Sequence, residues 1–450
     1  MGRRSMPHFL DLFLTELQEK RDAFRRRLTG EESTELDGLL KTAFQQEWHD
    51  LPSELKSDLR VIAVDSGRST REYALGSFMY ICRASAITSW GQTYRQLSSN
   101  AHMIASPREQ LIDLASIRSE HIEHQVALQA VQDTSDVDLV LLDGSLYGRI
   151  THVPIAFNYP GERDLYLRYL QTFMQLLEEC RKRKILILGI SKDSVARHLT
   201  RMLLESLKTD IIKNLSPALS SSKIDQLNQL FDIEKKQSLS ARSILKALDL
   251  SSNQYDLVWD LLYELRRPRP DFSLIYAWAK TAGYTTPIEP YPDVPLFKYE
   301  SKDPAAYVRR RFVDAYNDYD REEAFEEWAI PVMKNFFQIP TFVTFCAKFA
   351  YNDTPMRIDM PAFSAGLPTR ISQIAASRLL DPPPARVKEV LGTLRGEYGG
   401  LELYNVYLVK ADQEARLPMS DVRKLYEPLI EKELKIPLIL KRRERRVRHA

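Results

Sequence analysis

Cysteine is scarce in this chain: three in 450 residues, Cys82, Cys180 and Cys346, with no two spaced as metal ligands. That argues against a zinc knuckle and against a disulfide framework, and suits a reducing compartment. No stretch approaches ~18 consecutive apolar residues, so no membrane-spanning helix is expected. The start, Met1-Gly2-Arg3-Arg4, lacks the apolar core of a secretory leader. Together these absences predict a soluble, cytoplasmic protein with no membrane partner. A Gly-x-x-x-x-Gly-Lys-Ser/Thr loop is also missing, which argues against a nucleotide-driven motor in this chain. There is no internal repeat.

Neither sign of charge is in excess, since 63 Lys and Arg stand against 61 Asp and Glu for a net +2. The basic residues are nevertheless clustered: Arg181 to Lys184, Arg266-Arg267-Pro268-Arg269, Arg309 to Arg311, and a tail from Lys441 to Arg448 with six basic residues and one acid, Glu444. Such runs are solvated surface or phosphate contacts. Local basic patches on a near-neutral chain are compatible with an acidic centre that must still attract a polyanion.

What is present reads as an ordinary globular protein, 44% hydrophobic and 28% charged, long enough for two or three domains or for one sheet domain with large insertions. Leu10, Phe13, Leu14 and Leu17, then Leu36, Leu39, Leu40 and Phe44, recur at helical spacing across residues 7–58. Strand character follows in the run ending at Asp65, in Tyr73 to Ile81 and in Ala84 to Trp90, a meander. A helix is predicted from Pro107 to about Gln132, opened by Ser106 as N-cap with Glu109 three residues on. Leu139 to Asp143, a helix from about Glu162 to Lys182, and Ile185 to Ile190 make a parallel crossover unit.

Residues 195–265 read as a helical insertion with a Ser-rich loop at Ser216 to Lys223. Prolines then crowd residues 266–305, and Pro287-Ile288-Glu289-Pro290-Tyr291-Pro292 is expected to be neither interior strand nor helix. Strands are predicted at Thr341 to Phe349 and Met356 to Pro361, a helix from Ser364 to Leu379, and a strand-like Leu403 to Val409 before a final helix.

Two apolar runs end in a carboxylate and a small-residue turn: Val61-Ile62-Ala63-Val64-Asp65-Ser66-Gly67 and Leu139-Val140-Leu141-Leu142-Asp143-Gly144-Ser145. Asp-Gly and Asp-Ser commonly just start turns. If the two strands lie parallel and adjacent, however, both acids reach one edge, and the helix between them can add a third. Glu120 and Glu123 are the candidates; Glu123 has Ser119, Ala127 and Ala130 on its face, small residues that allow close approach to the sheet. Asp412, after the strand-like Tyr404 to Val409, is a fourth acid or a helix N-cap. Hard oxygen donors select Mg²⁺ or Mn²⁺, and the chemistry they serve best is phosphodiester hydrolysis with two ions ~3.5 to 4 Å apart. Lys192, at the end of its strand, could hold a phosphate or orient water.

The ordered set Val61-Ile62-Ala63-Val64-Asp65-Ser66-Gly67-Arg68, Leu141-Leu142-Asp143-Gly144-Ser145-Leu146, Gly189-Ile190-Ser191-Lys192-Asp193-Ser194 and Met356-Arg357-Ile358-Asp359-Met360-Pro361 resembles the NurA nuclease family over roughly residues 60–430. The resemblance implies an α/β fold with an RNase H-like mixed sheet flanked by helices. It implies manganese-dependent cleavage of single-stranded DNA with 5′-to-3′ trimming of duplex ends, a homodimeric ring, and docking to a hexameric HerA-type ATPase in end resection for recombinational repair. Carried onto this chain, the first-strand acid is Asp65, the helix acid Glu123, the second-strand acid Asp143 and the lysine Lys192. Two departures stand out. The family has Asp-Gly-Ser where this chain reads Asp65-Ser66-Gly67, and Ala-His where it reads Ala411-Asp412. An aspartate can bind metal in place of imidazole, but near neutral pH it is no general acid without a large pKa shift.

The organisation expected is an N-terminal helical segment at 1–59, a nuclease core at 60–195 and 306–434, a helical insertion with its Pro-rich connector at 196–305, and a basic tail at 435–450. Two other readings remain open: a catalytically weak DNA clamp or adaptor for a motor ATPase, and an RNase H-like nuclease acting on RNA or branched DNA.

Overall fold

The computed structural model describes every residue except 1–7, 30–33, 56–57, 105–107, 233–237, 293 and 443–450. The expected cap at Ser106 and Pro107, and the tail beyond Arg442, lie outside the described residues. Two compact units form, one from residues 1–50 with 193–286 and one from 51–192 with 287–450.

The first unit is mainly helical. Helix Glu35–Gln46 buries Leu36, Leu40 and Phe44, the face that the three-and-four spacing marks out. Helix His198–Leu215 has its first turn capped from a distance, because buried Asp271 accepts the N–H groups of Leu199 and Thr200 at 3.2 and 2.8 Å. Helix Phe9–Glu19, by contrast, buries none of its residues.

The second unit is built on a mixed sheet. Its long strands are β1 (Val61–Glu72), β2 (Ser77–Thr88), β3 (Thr93–Met103), β4 (Leu139–Asp143), β5 (Leu186–Ser191), β6 (Phe342–Lys348) and β7 (Met356–Pro361), in the spatial order β6-β7-β5-β4-β1-β2-β3. The β1-β2-β3 meander is antiparallel, while β4 lies parallel to β1 and β5 parallel to β4. Helix α1 (Arg108–Gln132) crosses one face against β1, β2 and β3, and α2 (Leu165–Lys182) packs on α1. Buried residues ring α1 on almost every side, as a helix between a sheet and another helix requires. The β4 and β5 runs of Val, Ile and Leu are buried on both faces, which is why they read as continuous apolar text. Helix α3 (Glu322–Phe336) buries Phe325 and Phe336 in the core. Among the described residues, no helix is long and apolar enough to cross a membrane.

Four local expectations are corrected. β1 does not stop at Asp65 but runs on to Glu72, paired throughout with β2, and the meander's turns fall later than the sequence suggested. Ser364 to Leu379 is no helix: a 3-10 turn at Ala362–Ala365 ends at Gly366, φ +77°, and Pro368 follows. Ile288–Glu289 does pair, as a two-residue strand between β6 and Arg378–Leu379, because its flanking prolines lie just outside the ladder. Leu403 to Val409 is no strand. Asn405 caps helix α4 (Val406–Ala415), its side-chain oxygen accepting from the N–H groups of Tyr407 and Leu408 at 3.1 and 3.0 Å, and Leu408, Ala411 and Ala415 form the buried face.

Candidate active site

The parallel ladder between β1 and β4 runs from Val61–Leu139 to Val64–Leu142. One residue further on each strand stand Asp65 and Asp143, at the same end because the strands share a direction. The backbone after Asp143 turns through Gly144 at φ +99°, whose N–H donates to the Ile190 carbonyl at 2.8 Å. Gly189 makes that turn possible: a Cβ there would stand 2.6 Å from the Gly144 oxygen and 2.7 Å from the Leu146 nitrogen. Ser145 then caps a single-turn helix, Leu146–Arg149, which returns Arg149 towards α1. Asp359, fully buried on β7, holds this loop by accepting from the Ser145 hydroxyl and from the Tyr147 N–H at 3.2 Å.

Of the two helix candidates, Glu123 reaches Asp65's neighbourhood. Its Oε2 accepts from the Ser66 hydroxyl at 2.8 Å and its Oε1 from the Arg149 guanidinium at 2.7 Å. Glu120 turns the other way, accepting from the Tyr169 hydroxyl at 2.8 Å with His152 3.5 Å away. Ser66 bonds the helix acid, and the glycine stands one residue on. There a Cβ on Gly67 would lie 2.3 Å from the Ala415 carbonyl oxygen, so the end of α4 rests directly on β1. Arg83 of β2, opposite Gly67 in the ladder, donates to the Ala415 carbonyl at 2.9 Å and also to that of Arg416. Asp412 lies in the body of α4 and not at its start, so capping does not account for it, and its charge is felt at Asp65.

The acids crowd one another. Burial, then the charges of Glu123 and Asp143 and more weakly that of Asp412, push the Asp65 carboxyl up to about 8, against a hydrogen bond from the Ser66 N–H. Burial lifts Glu123 to about 7 despite Arg149 and Ser66. Lys192 follows β5 and sets its Nζ 2.9 Å from Asp143 Oδ2 and 4.4 Å from the centre of the Tyr404 ring. Burial works against its charge, but Asp143 and Tyr404 raise its pKa. The Tyr404 hydroxyl lies 3.4 Å from Asp143. Arg149 and Tyr404 escaped the sequence reading; the only signals were an arginine six residues after a strand-end acid and a tyrosine next to a capping Asn.

Hard carboxylate oxygens gathered around an aspartate that resists ionisation are a donor set suited to a divalent cation. Among the described residues, no three His, Cys, Asp or Glu side chains are grouped so as to hold an ion as they stand. Cations of the chain itself, Lys192 and Arg149, occupy Asp143 and Glu123.

A model of the NurA domain matches residues 59–417. The chain belongs to the NurA family. The NurA nuclease from Sulfolobus solfataricus is similar over 96% of this chain and 98% of that one, at 14% identity and a TM-score of 0.53, which speaks for the NurA fold, an RNase H-like mixed sheet flanked by helices. Two further NurA structures are more distant. One covers 96% of this chain and 98% of its own at 16% identity and a TM-score of 0.41. The other, of NurA with manganese, covers 94% and 97% at 15% identity and a TM-score of 0.36. No curated protein matches.

Proposed function

We propose that this NurA-family protein is a metal-dependent deoxyribonuclease, a single-strand endonuclease and 5′-to-3′ exonuclease that works on DNA ends in recombinational repair. In this reading Asp65, Glu123, Asp143 and Asp412 hold Mn²⁺ or Mg²⁺, two ions in all. The observation that carries it is the arrival of Asp65 and Asp143 together at the end of a parallel strand pair, where burial and the charges of Glu123, Asp143 and Asp412 push the Asp65 carboxyl upward. Such a cluster costs free energy unless a cation compensates it. The ions, when bound, would activate water and stabilise the leaving oxygen.

Lys192 would bind a phosphate oxygen of the substrate, its raised pKa keeping it charged at neutral pH. Asp412 has a role in holding the ion, not in proton transfer. Homodimer formation, docking to a HerA-type hexameric ATPase and a cytoplasmic location complete the proposal, supported by family membership alone. The pairing of Lys192 with Asp143 and of Arg149 with Glu123 favours one rival, a catalytically weak DNA clamp whose carboxylates are permanently neutralised.

End-labelled single-stranded DNA incubated with Mn²⁺ separates the two. Wild type should cut and both Asp65→Ala and Asp143→Ala should not. Cutting that survives both changes would remove the assigned site, and silence of the wild type, alone and with its ATPase, would leave the clamp.

A further inference from the structure

Arg149 is 4% exposed, yet it carries a full charge among polar partners that all belong to or border the acidic cluster. One terminal nitrogen donates to Glu123 Oε1 at 2.7 Å and to the backbone carbonyl of Asp143 at 3.1 Å. The other lies against Nε2 of His124, which burial, first of all, and the charge of Arg149 keep neutral and therefore able to accept. The His124 ring is itself fixed between Tyr169 and Phe173, with centroids 5.0 and 4.8 Å away. The planar fork thus ties together the helix that carries one acid and the strand that carries another. A lysine, with a single nitrogen, could not span those three acceptors.

On the opposite side of Glu123, Oε2 is held by the Ser66 hydroxyl, which in turn accepts from the Ser119 hydroxyl at 3.1 Å. Both oxygens of Glu123 are therefore committed, one outward to the arginine and one towards β1 beside Asp65. Burying an arginine costs several kcal/mol unless its partners offset the loss of water. Packing alone does not call for that expense, since an apolar side chain of similar volume would fill the space.

We infer that Arg149 is a positioning residue, fixing Glu123 Oε1 so that Oε2 faces Asp65 and the divalent ion assigned to that site. The inference rests on the proposed metal site, and the experiment separates the two. Mn²⁺ binding by the full chain is followed by loss of the free-ion electron paramagnetic resonance signal, for wild type, Arg149→Lys, Glu123→Gln and the double variant, with circular dichroism melts to establish folding.

Arg149→Lys should bind Mn²⁺ about tenfold more weakly, the scale typical of a partner that orients a metal ligand, although it keeps the positive charge. In the Glu123→Gln background the same change should have little further effect, because its route of action is gone. Affinity within twofold of wild type for Arg149→Lys overturns the inference alone. A tenfold loss that persists in the Glu123→Gln background overturns it as well, since the arginine would then act by bulk charge. Arg149→Gln joins the series as a second variant; failure of both Arg149 variants to fold makes the arginine a core strut and also refutes the idea. If wild type binds no Mn²⁺, the proposed function falls and this inference with it.

Discussion

Gly67→Ala tests how the fourth acid is seated. The added Cβ would stand 2.3 Å from the Ala415 carbonyl oxygen, 3.1 Å from its carbon and 3.2 Å from the Leu417 nitrogen, all of them backbone atoms that no rotamer change can relieve. Ordinary contact begins at 3.4 Å, so 3.4 − 2.3 = 1.1 Å of separation must be found by moving α4 off β1. Overpacking of this kind costs about 1–3 kcal/mol, reduced by about 0.4–1 kcal/mol because alanine restricts the unfolded chain more than glycine does. The fold should survive, while Asp412 shifts with its helix. A misplacement of ~1 Å lowers a rate by about 10²-fold. Mn²⁺-dependent cleavage of end-labelled DNA and urea denaturation should therefore diverge, with a large fall in rate beside a modest fall in stability. Cleavage within twofold of wild type would refute both the seating of α4 and the part assigned to Asp412.

The same cleavage assay should register Lys192→Gln as a loss of about 10²–10³-fold, on the scale of one preorganised electrostatic group, with the circular dichroism spectrum unchanged; an active variant would restrict Lys192 to its bond with Asp143. Glu427→Gln removes the carboxylate paired with buried Arg71 at 2.7 Å and should cost about 3–5 kcal/mol in chemical denaturation, whereas a loss under 1 kcal/mol would mean that water enters the pair. His121 sets a pH window. Burial, with Arg118 and Arg168 nearby, lowers it from 6.5 to about 3. The unfolded chain therefore takes up a proton below pH 6.5 that the folded chain refuses: the stabilisation is whole above 6.5 and drains away towards 3. Over 6.5 − 3 = 3.5 pH units the contribution is at most about 5 kcal/mol at 1.36 kcal/mol per unit. His121→Gln should flatten that part of the stability–pH curve, and an unchanged slope would contradict a buried neutral imidazole.

Much of the candidate site is legible in the sequence, because Asp65 and Asp143 end apolar runs and the interval between them has room for a meander and a helix. The small residues on its face mark Glu123 as a candidate beside Glu120, and in the structure it is the Glu123 charge that bears on Asp65 while Glu120 accepts from Tyr169. Where the reading failed, tertiary context outweighed local pattern. Val406 to Val409 has the β-branched look of a strand, but the cap at Asn405 and a seat on β1 and β2 make it a helix. β1 continues past its acid because β2 pairs with it all the way to Glu72, which no apolar run announces. Arg149 was hidden for another reason: its partners come from α1 and from a backbone carbonyl, and a charged residue in a loop looks like surface until folding buries it.

The resting place of α4 on Gly67 also orders the site in time. Asp65, Glu123 and Asp143 lie within the first 143 residues, but Asp412 emerges 412 − 143 = 269 residues later. A ribosome adding 5–20 residues per second needs roughly 15–50 s to bridge that gap, and the contact that closes it is among the longest-range in the chain, of the slowly formed kind. A nascent or truncated chain therefore carries three of the four acids and no helix to bring the last. On the proposed reading, DNA cleavage would therefore wait until Asp412 and its helix have been made.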